Sequence, residues 1–340
     1  MQRRFISVLV AALAATLAAQ NPELPRIGVI EIFGLNKVKE SAIRAALRVK
    51  EGDPLPASKG DVEERIGEVS GVVESHLEAV CCDQNNRVIL YVGIEEKGAP
   101  HFDLREPPET ELALPTAVVS FYRDILQALD AAARRGSTAE DLTQGHSLMA
   151  DPLAREIQIK FPDIAKDQAP LLRRVLRTSA DDEQRAAAAY ILGYAPKKRD
   201  VVDDLQYALR DADSSVRANA VRGLLAVAVH ASLNPESDIR VQSTWFVEML
   251  NSLSWSDRDR ALRALQVLTD KSDASTAELL RTRGLGALTE MCRWKVLPHA
   301  LPAFVLLGRL AGWSEDQIRD GWTKGDRESV IRAATKNPKR

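Results

Sequence analysis

With 340 residues, 45% of them hydrophobic and 28% charged, the chain has ample material for a core, and roughly 100–200 residues per domain makes two domains the natural expectation. The net charge of −2 argues against nucleic acid as the main partner, because neutralising phosphates needs an excess of Lys and Arg on one face. Aromatic residues make up only 5%, which leaves few platforms for stacked bases.

The chain opens MQRRFISVLVAALAATLAAQ. Arg3 and Arg4 precede an uncharged apolar stretch over residues 5–17, and small residues follow at Thr16, Ala18 and Ala19. That order predicts a secretory signal peptide over residues 1–19, cleaved after Ala18 or Ala19, and a periplasmic mature chain. The alternative, an uncleaved N-terminal anchor, is disfavoured because a membrane span needs roughly 20 apolar residues. No later apolar run approaches that length, so no transmembrane span is predicted in the mature chain. Of the three cysteines, Cys81 and Cys82 are neighbours in a predicted strand and would point to opposite faces. One buried thiol and one exposed or paired thiol is the expectation, and no Cys-x-x-Cys spacing supports a redox role.

From residue 27, Ile27, Val29, Glu31 and Phe33 alternate with Gly28, Ile30 and Ile32, a mostly apolar strand covered on at least one face. Gly34-Leu35-Asn36 ends it with turn chemistry. Ile43, Ala46 and Leu47 recur at helical spacing until Gly52-Asp53-Pro54 stops the run. A second helix begins near Ser58, with Val62, Ile66 and Val69 inward and Gly71 just past its end. Two period-2 runs flank Asp83-Gln84-Asn85-Asn86, which reads as a hairpin whose Val88, Leu90, Val92 and Ile94 face the helices. The order is βααββ, a two-layer α+β unit.

The stretch IEIFGLNKVKESAIRAALRVKEGDPL, Gly71 and the closing VGIEE resemble a POTRA domain over residues 25–97. The resemblance implies an exported module that binds other polypeptides. It also implies an exposed second strand, over residues 73–82, able to take up an extended peptide by backbone hydrogen bonds. Glu74, His76, Glu78 and Val80 are the candidate peptide-binding residues there. Glu74, His76 and Glu78 would share one face of the strand, opposite Leu77, Ala79 and Cys81. The competing reading is that these charges only protect an edge against aggregation.

Residues 98–115 carry Pro100, Pro107, Pro108 and Pro115 and read as a semi-rigid linker. The period then becomes 3.6 and stays helical over residues 116–335. Val118, Val119, Phe121, Tyr122, Ile125, Leu126 and Leu129 line a first helix ending at Gly136, and Ser137-Thr138-Ala139-Glu140 reads as a capping box opening the next. Arg-Ala pairs at 185, 217 and 260 recur at offsets of 32 and 43 residues, within helical-repeat range. The middle copy resembles a HEAT or HEAT-like (phycobilisome-lyase-type) repeat through Asp211, Asp213, Val216, Arg217 and Ala220. In it Asp213 is expected to cap the second helix and Arg217 to ladder with acidic groups between repeats. Three to four repeats with helical caps, stacked as an all-α solenoid, are predicted. Ser314-Glu315-Asp316-Gln317 is a further capping box, and residues 336–340 form a polar tail.

No catalytic constellation accompanies these modules. The five histidines are dispersed without paired-ligand spacing, so no metal is predicted. His146 near Asp151 reads as part of a polar loop. There is no Gly-x-Ser-x-Gly elbow, and the Gly284-Leu285-Gly286 stretch lacks the third glycine and preceding strand of a dinucleotide loop. The five tryptophans lie in the last hundred residues and read as fillers between repeats rather than a glycan-binding patch. The expectation is an exported, non-catalytic scaffold of the cell envelope, without cofactor, whose partners are other envelope proteins or extended polypeptides. The alternative is a HEAT-like lyase or other enzyme with a pocket in the helical domain.

Overall fold

The computed structural model describes residues 24–270 and 274–336, so the predicted signal peptide and the last four residues of the polar tail lie outside the described residues. The N-terminal part follows the predicted order: β1 (Ile27–Phe33), α1 (Glu40–Leu47), α2 (Lys59–Gly67), β2 (Val72–Val80) and β3 (Val88–Glu96). The sheet order is β1-β3-β2, with β1 parallel and β2 antiparallel to the central β3. Ile43 and Leu47 of α1, with Val62 and Ile66 of α2, pack on Ile27, Ile30, Leu77, Leu90, Val92 and Ile94. A bulge between Ile27 and Val29 puts Ile27 and Ile30 on the same face despite their odd spacing.

Glu96 fixes the turn after β1. Its carboxylate accepts from the backbone N–H groups of Asn36, Lys37 and Val38 at 2.6, 2.8 and 3.0 Å. The two cysteines correct the sequence reading: they are disulfide-bonded to each other. The strand ends at Val80, so the alternation that would separate their side chains no longer applies to them. Cys292 is the buried free thiol, and burial pushes it up to about 12.

The helical part comprises α3 (Thr116–Arg134), α4 (Pro152–Gln158), α5 (Phe161–Thr178), α6 (Asp182–Leu192), α7 (Arg199–Ala208), α8 (Ser214–Leu233), α9 (Thr244–Met249) and α10 (Trp255–Leu268). After a helical stretch from Ala274 to Cys292 with one π turn come α11 (Leu297–Leu310), α12 (Glu315–Thr323) and α13 (Arg327–Thr335). Helices α6, α8, α10 and α11 lie side by side in that order, which makes the region repeat-like. The capping box expected at Ser137-Thr138-Ala139-Glu140 opens no helix. Glu140 instead accepts from Ser147 at 2.6 Å and pairs with Arg222 at 2.9 Å, and residues 140–141 form a two-residue ladder with 148–149. The next helix starts at Pro152, capped by Asp151, which also binds Arg135 at 2.6 Å.

Residues 98–115 are laid against the helices. Arg105 N–H donates to Arg210 O at 2.7 Å, Ala180 N–H to Thr110 O at 2.8 Å, and Leu114 N–H to the Gln184 side chain at 2.8 Å. The Arg105 guanidinium lies 3.3 Å from the Tyr207 ring centre.

The sheet's second face is also covered. Tyr91 stacks on Trp255 at 4.9 Å, Phe33 meets Trp294 at 5.9 Å, and the Arg258 guanidinium sits 4.4 Å from the Phe33 ring centre. Trp255 and Trp294 therefore join sheet to helices, a different place from the gaps between repeats. Gly93 is required here: a Cβ on it would lie 2.1 Å from the Leu253 carbonyl oxygen. Tyr91 Oη–His299, Gly34 N–H to Glu290 and Lys295 N–H to Glu31 add polar ties of 2.6, 2.6 and 2.8 Å across the same boundary.

Candidate binding cleft

Three arginines organise the repeat-like region. Arg185 reaches back to the carbonyls of Ser179 and Ala180 and forward to both oxygens of Asp211, each at 2.9 Å. Arg217 repeats this, binding the Asp211 and Ala212 carbonyls at 2.8 and 2.9 Å and Asp257 at 2.8 Å. Arg258 binds the Ser252 carbonyl at 2.6 Å and Glu290 at 2.9 Å. Each arginine bonds the carbonyl six residues before it and the acid of the next repeat. The third rung is thus Arg258 and not Arg260, whose Arg-Ala pairing imitates the motif. Aspartates 181 and 213 and Ser254 cap α6, α8 and α10 at equivalent places. Val216 is fully buried behind its cap.

Where α8 and α10 begin, they face the sheet across an open cleft of about 910 Å³. One wall is the Glu74–His76–Glu78 face of β2, and the other is built from α3, the strap at residues 101–104 and the starts of α8 and α10. Residues singled out for separate reasons, Glu74, His76 and Glu78 on one side and Asp213 and Arg217 on the other, line one cavity. Val80 does not line it, being half-buried against the main core, and Asp211 lies buried in the ladder.

Glu78 binds the start of α10, accepting from Ser254 Oγ at 3.0 Å, from Ser256 N–H at 3.1 Å and from Ser256 Oγ. Burial, followed by the positive charge of Lys59, holds His76 below the ordinary imidazole range. His101 is held above that range, first by its hydrogen bond to Asp103 at 2.8 Å. Leu104 and Leu126 present exposed apolar surface to the cleft, at 45% and 41% of full accessibility.

The two sheet edges differ. On β1, Ile27 N–H and C=O bind the 52–53 turn at 2.8 and 2.7 Å, Ile30 C=O accepts from Lys295 Nζ at 2.9 Å, and Ile30 N–H points to Glu51 at 3.4 Å. On β2, Leu77 N–H donates outward to the Glu63 side chain at 2.6 Å, so by antiparallel alternation Ser75 and Ala79 also direct backbone groups outward. Ala79 is exposed.

Sequence reasoning missed Glu63, Glu95, Leu104, Leu126 and Ser256 as parts of this site. Only Ser254-x-x-Asp257, a capping pattern, was available as a signal for where α10 starts and hence what faces β2.

A family model of HEAT repeats matches residues 169–235. The match runs from within α5 to just past α8, and so includes the first rung of the arginine ladder, Arg185 with Asp211, and the arginine of the second, Arg217, whose partner Asp257 lies beyond it. HEAT repeats commonly mediate protein–protein interaction. No curated protein and no solved structure matches the chain. Among the described residues no helix is long and apolar enough to cross a membrane, and no group of three or more His, Cys, Asp or Glu side chains could hold a metal ion.

Proposed function

We propose that the protein is an exported, non-catalytic scaffold of the periplasm whose POTRA-like sheet and HEAT-like solenoid bind polypeptide together. The observation that carries the reading is the asymmetry of the sheet edges: on β1 the outward groups of Ile27 and Ile30 are taken by polar partners, whereas on β2 Glu63 takes the Leu77 N–H and the backbone groups of Ser75 and Ala79 point outward beside a cleft walled by the helical region. An extended peptide added to β2 gains ladder hydrogen bonds and places alternate side chains in the cleft. The βααββ order with β2 at an edge supports the POTRA resemblance, and the arginine ladder supports stacked HEAT-like units. The predicted signal peptide supports export.

The test is Ala79→Pro. Proline is tolerated where the strand N–H faces solvent, so the fold survives while an outward donor is lost. The variant is expected to keep its circular dichroism and melting temperature and to lose affinity for extended peptides with alternating apolar residues. Unchanged peptide affinity in a folded variant would refute strand addition at β2.

A further inference from the structure

Glu74 and Glu95 are direct cross-strand partners. Opposed side chains of an antiparallel pair lie about 5 Å apart at Cβ, and like charges so placed are destabilising. Both carboxylates line the cleft, and among the described residues neither has a salt bridge or hydrogen bond. Neighbouring acids are all engaged: Glu78 at α10, Glu63 at Leu77 and Glu96 in the turn after β1. The lining as a whole carries five carboxylates against three Lys and Arg side chains. Opposite them the wall is apolar and exposed at Leu104 and Leu126.

We infer that the segment bound in the cleft is an extended peptide with a basic side chain over the Glu74–Glu95 pair and an apolar side chain against Leu104 and Leu126. This rests on the polypeptide-binding reading above and adds its specificity. A Lys or Arg would relieve the carboxylate repulsion that the fold itself leaves uncompensated. His101, raised by Asp103, already lies near Glu95 and supplies partial positive charge only as the pH falls.

The test uses the purified chain and three labelled peptides of about ten residues, with identical apolar positions and Lys, Gln or Glu between them. Fluorescence anisotropy is expected to rank them Lys, Gln, Glu in falling affinity, with the spread narrowing as salt rises. The double variant Glu74→Gln, Glu95→Gln is expected to weaken the Lys peptide by roughly tenfold and to leave the Gln peptide within about twofold. Equal affinities for the Lys and Glu peptides, or a double variant that binds the Lys peptide as before, would overturn the charge assignment alone. If none of the three peptides binds, the polypeptide-binding reading falls with it.

Discussion

Removing Arg217 tests the ladder that holds the helical region in register. Its guanidinium makes four contacts of 2.8–3.0 Å, two to backbone carbonyls and two to Asp257. Both side chains are almost fully buried, at 6% and 1% exposure. Arg217→Ala would leave Asp257 with Ser252 Oγ as its remaining partner at 2.9 Å, and Asp257 Oδ1 already lacks one. An uncompensated buried carboxylate costs about 3–5 kcal/mol, a large share of a typical stability of roughly 5–15 kcal/mol. The double variant Arg217→Met, Asp257→Leu removes both charges and is expected to recover most of that loss. Arg258→Ala should cost less than Arg217→Ala, because its partner Glu290 is 29% exposed and keeps the Gly34 N–H, and Arg260→Ala, which has no ion pair among the described residues, should stay within about 0.5 kcal/mol. Urea titration at constant m-value reads all four. A loss below about 1 kcal/mol in Arg217→Ala, or a double variant no more stable than the single, would refute the reasoning.

Glu96→Gln weakens the carboxylate that gathers three N–H groups, at an expected cost of about 1–2 kcal/mol by chemical denaturation. Burial works against that charge, but the three donors outweigh it and lower its pKa. The stabilisation is therefore present above the ordinary glutamate value and lost as pH falls through the lower folded value. Glu31 behaves oppositely: burial raises its pKa against the pull of Lys295, so stability is fullest below about pH 4.3 and declines as pH rises through the folded value. Melting curves of Glu31→Gln and the parent chain should coincide near pH 4 and separate in the variant's favour toward pH 7, and a constant gap would contradict this. Gly93→Ala should cost about 2–3 kcal/mol and red-shift tryptophan emission, because its Cβ drives strand and Leu253 apart and exposes Trp255. An unshifted spectrum in a destabilised variant would place the strain elsewhere.

The N-terminal elements were readable because period-2 and period-3.6 patterns there are bounded by Gly34, Gly52 and Gly71, all at positive φ. The middle repeat was readable for a similar local reason, since its cap and its arginine are four residues apart. The third rung was misread at Arg260: the segment between α8 and α10 is longer, and an Arg-Ala dipeptide follows the true position by two residues. At residues 137–140 the local pattern suits a helix start, but the pull on Glu140 comes from Ser147 and the distant Arg222. The cleft was hidden for the most general reason. It exists where Trp255, Trp294 and the polar ties of Glu31, Glu78 and Glu290 seat the sheet on the helices, and no spacing within either part records those contacts.

Residue-resolved amide hydrogen exchange, with and without an extended basic–apolar peptide, tests the binding account most directly. Exchange at Ser75 and Ala79 should slow on peptide addition while Ile27 and Ile30, already bonded on the closed edge, stay unchanged. Protection appearing on β1, or on neither edge while the peptide is bound, would contradict it.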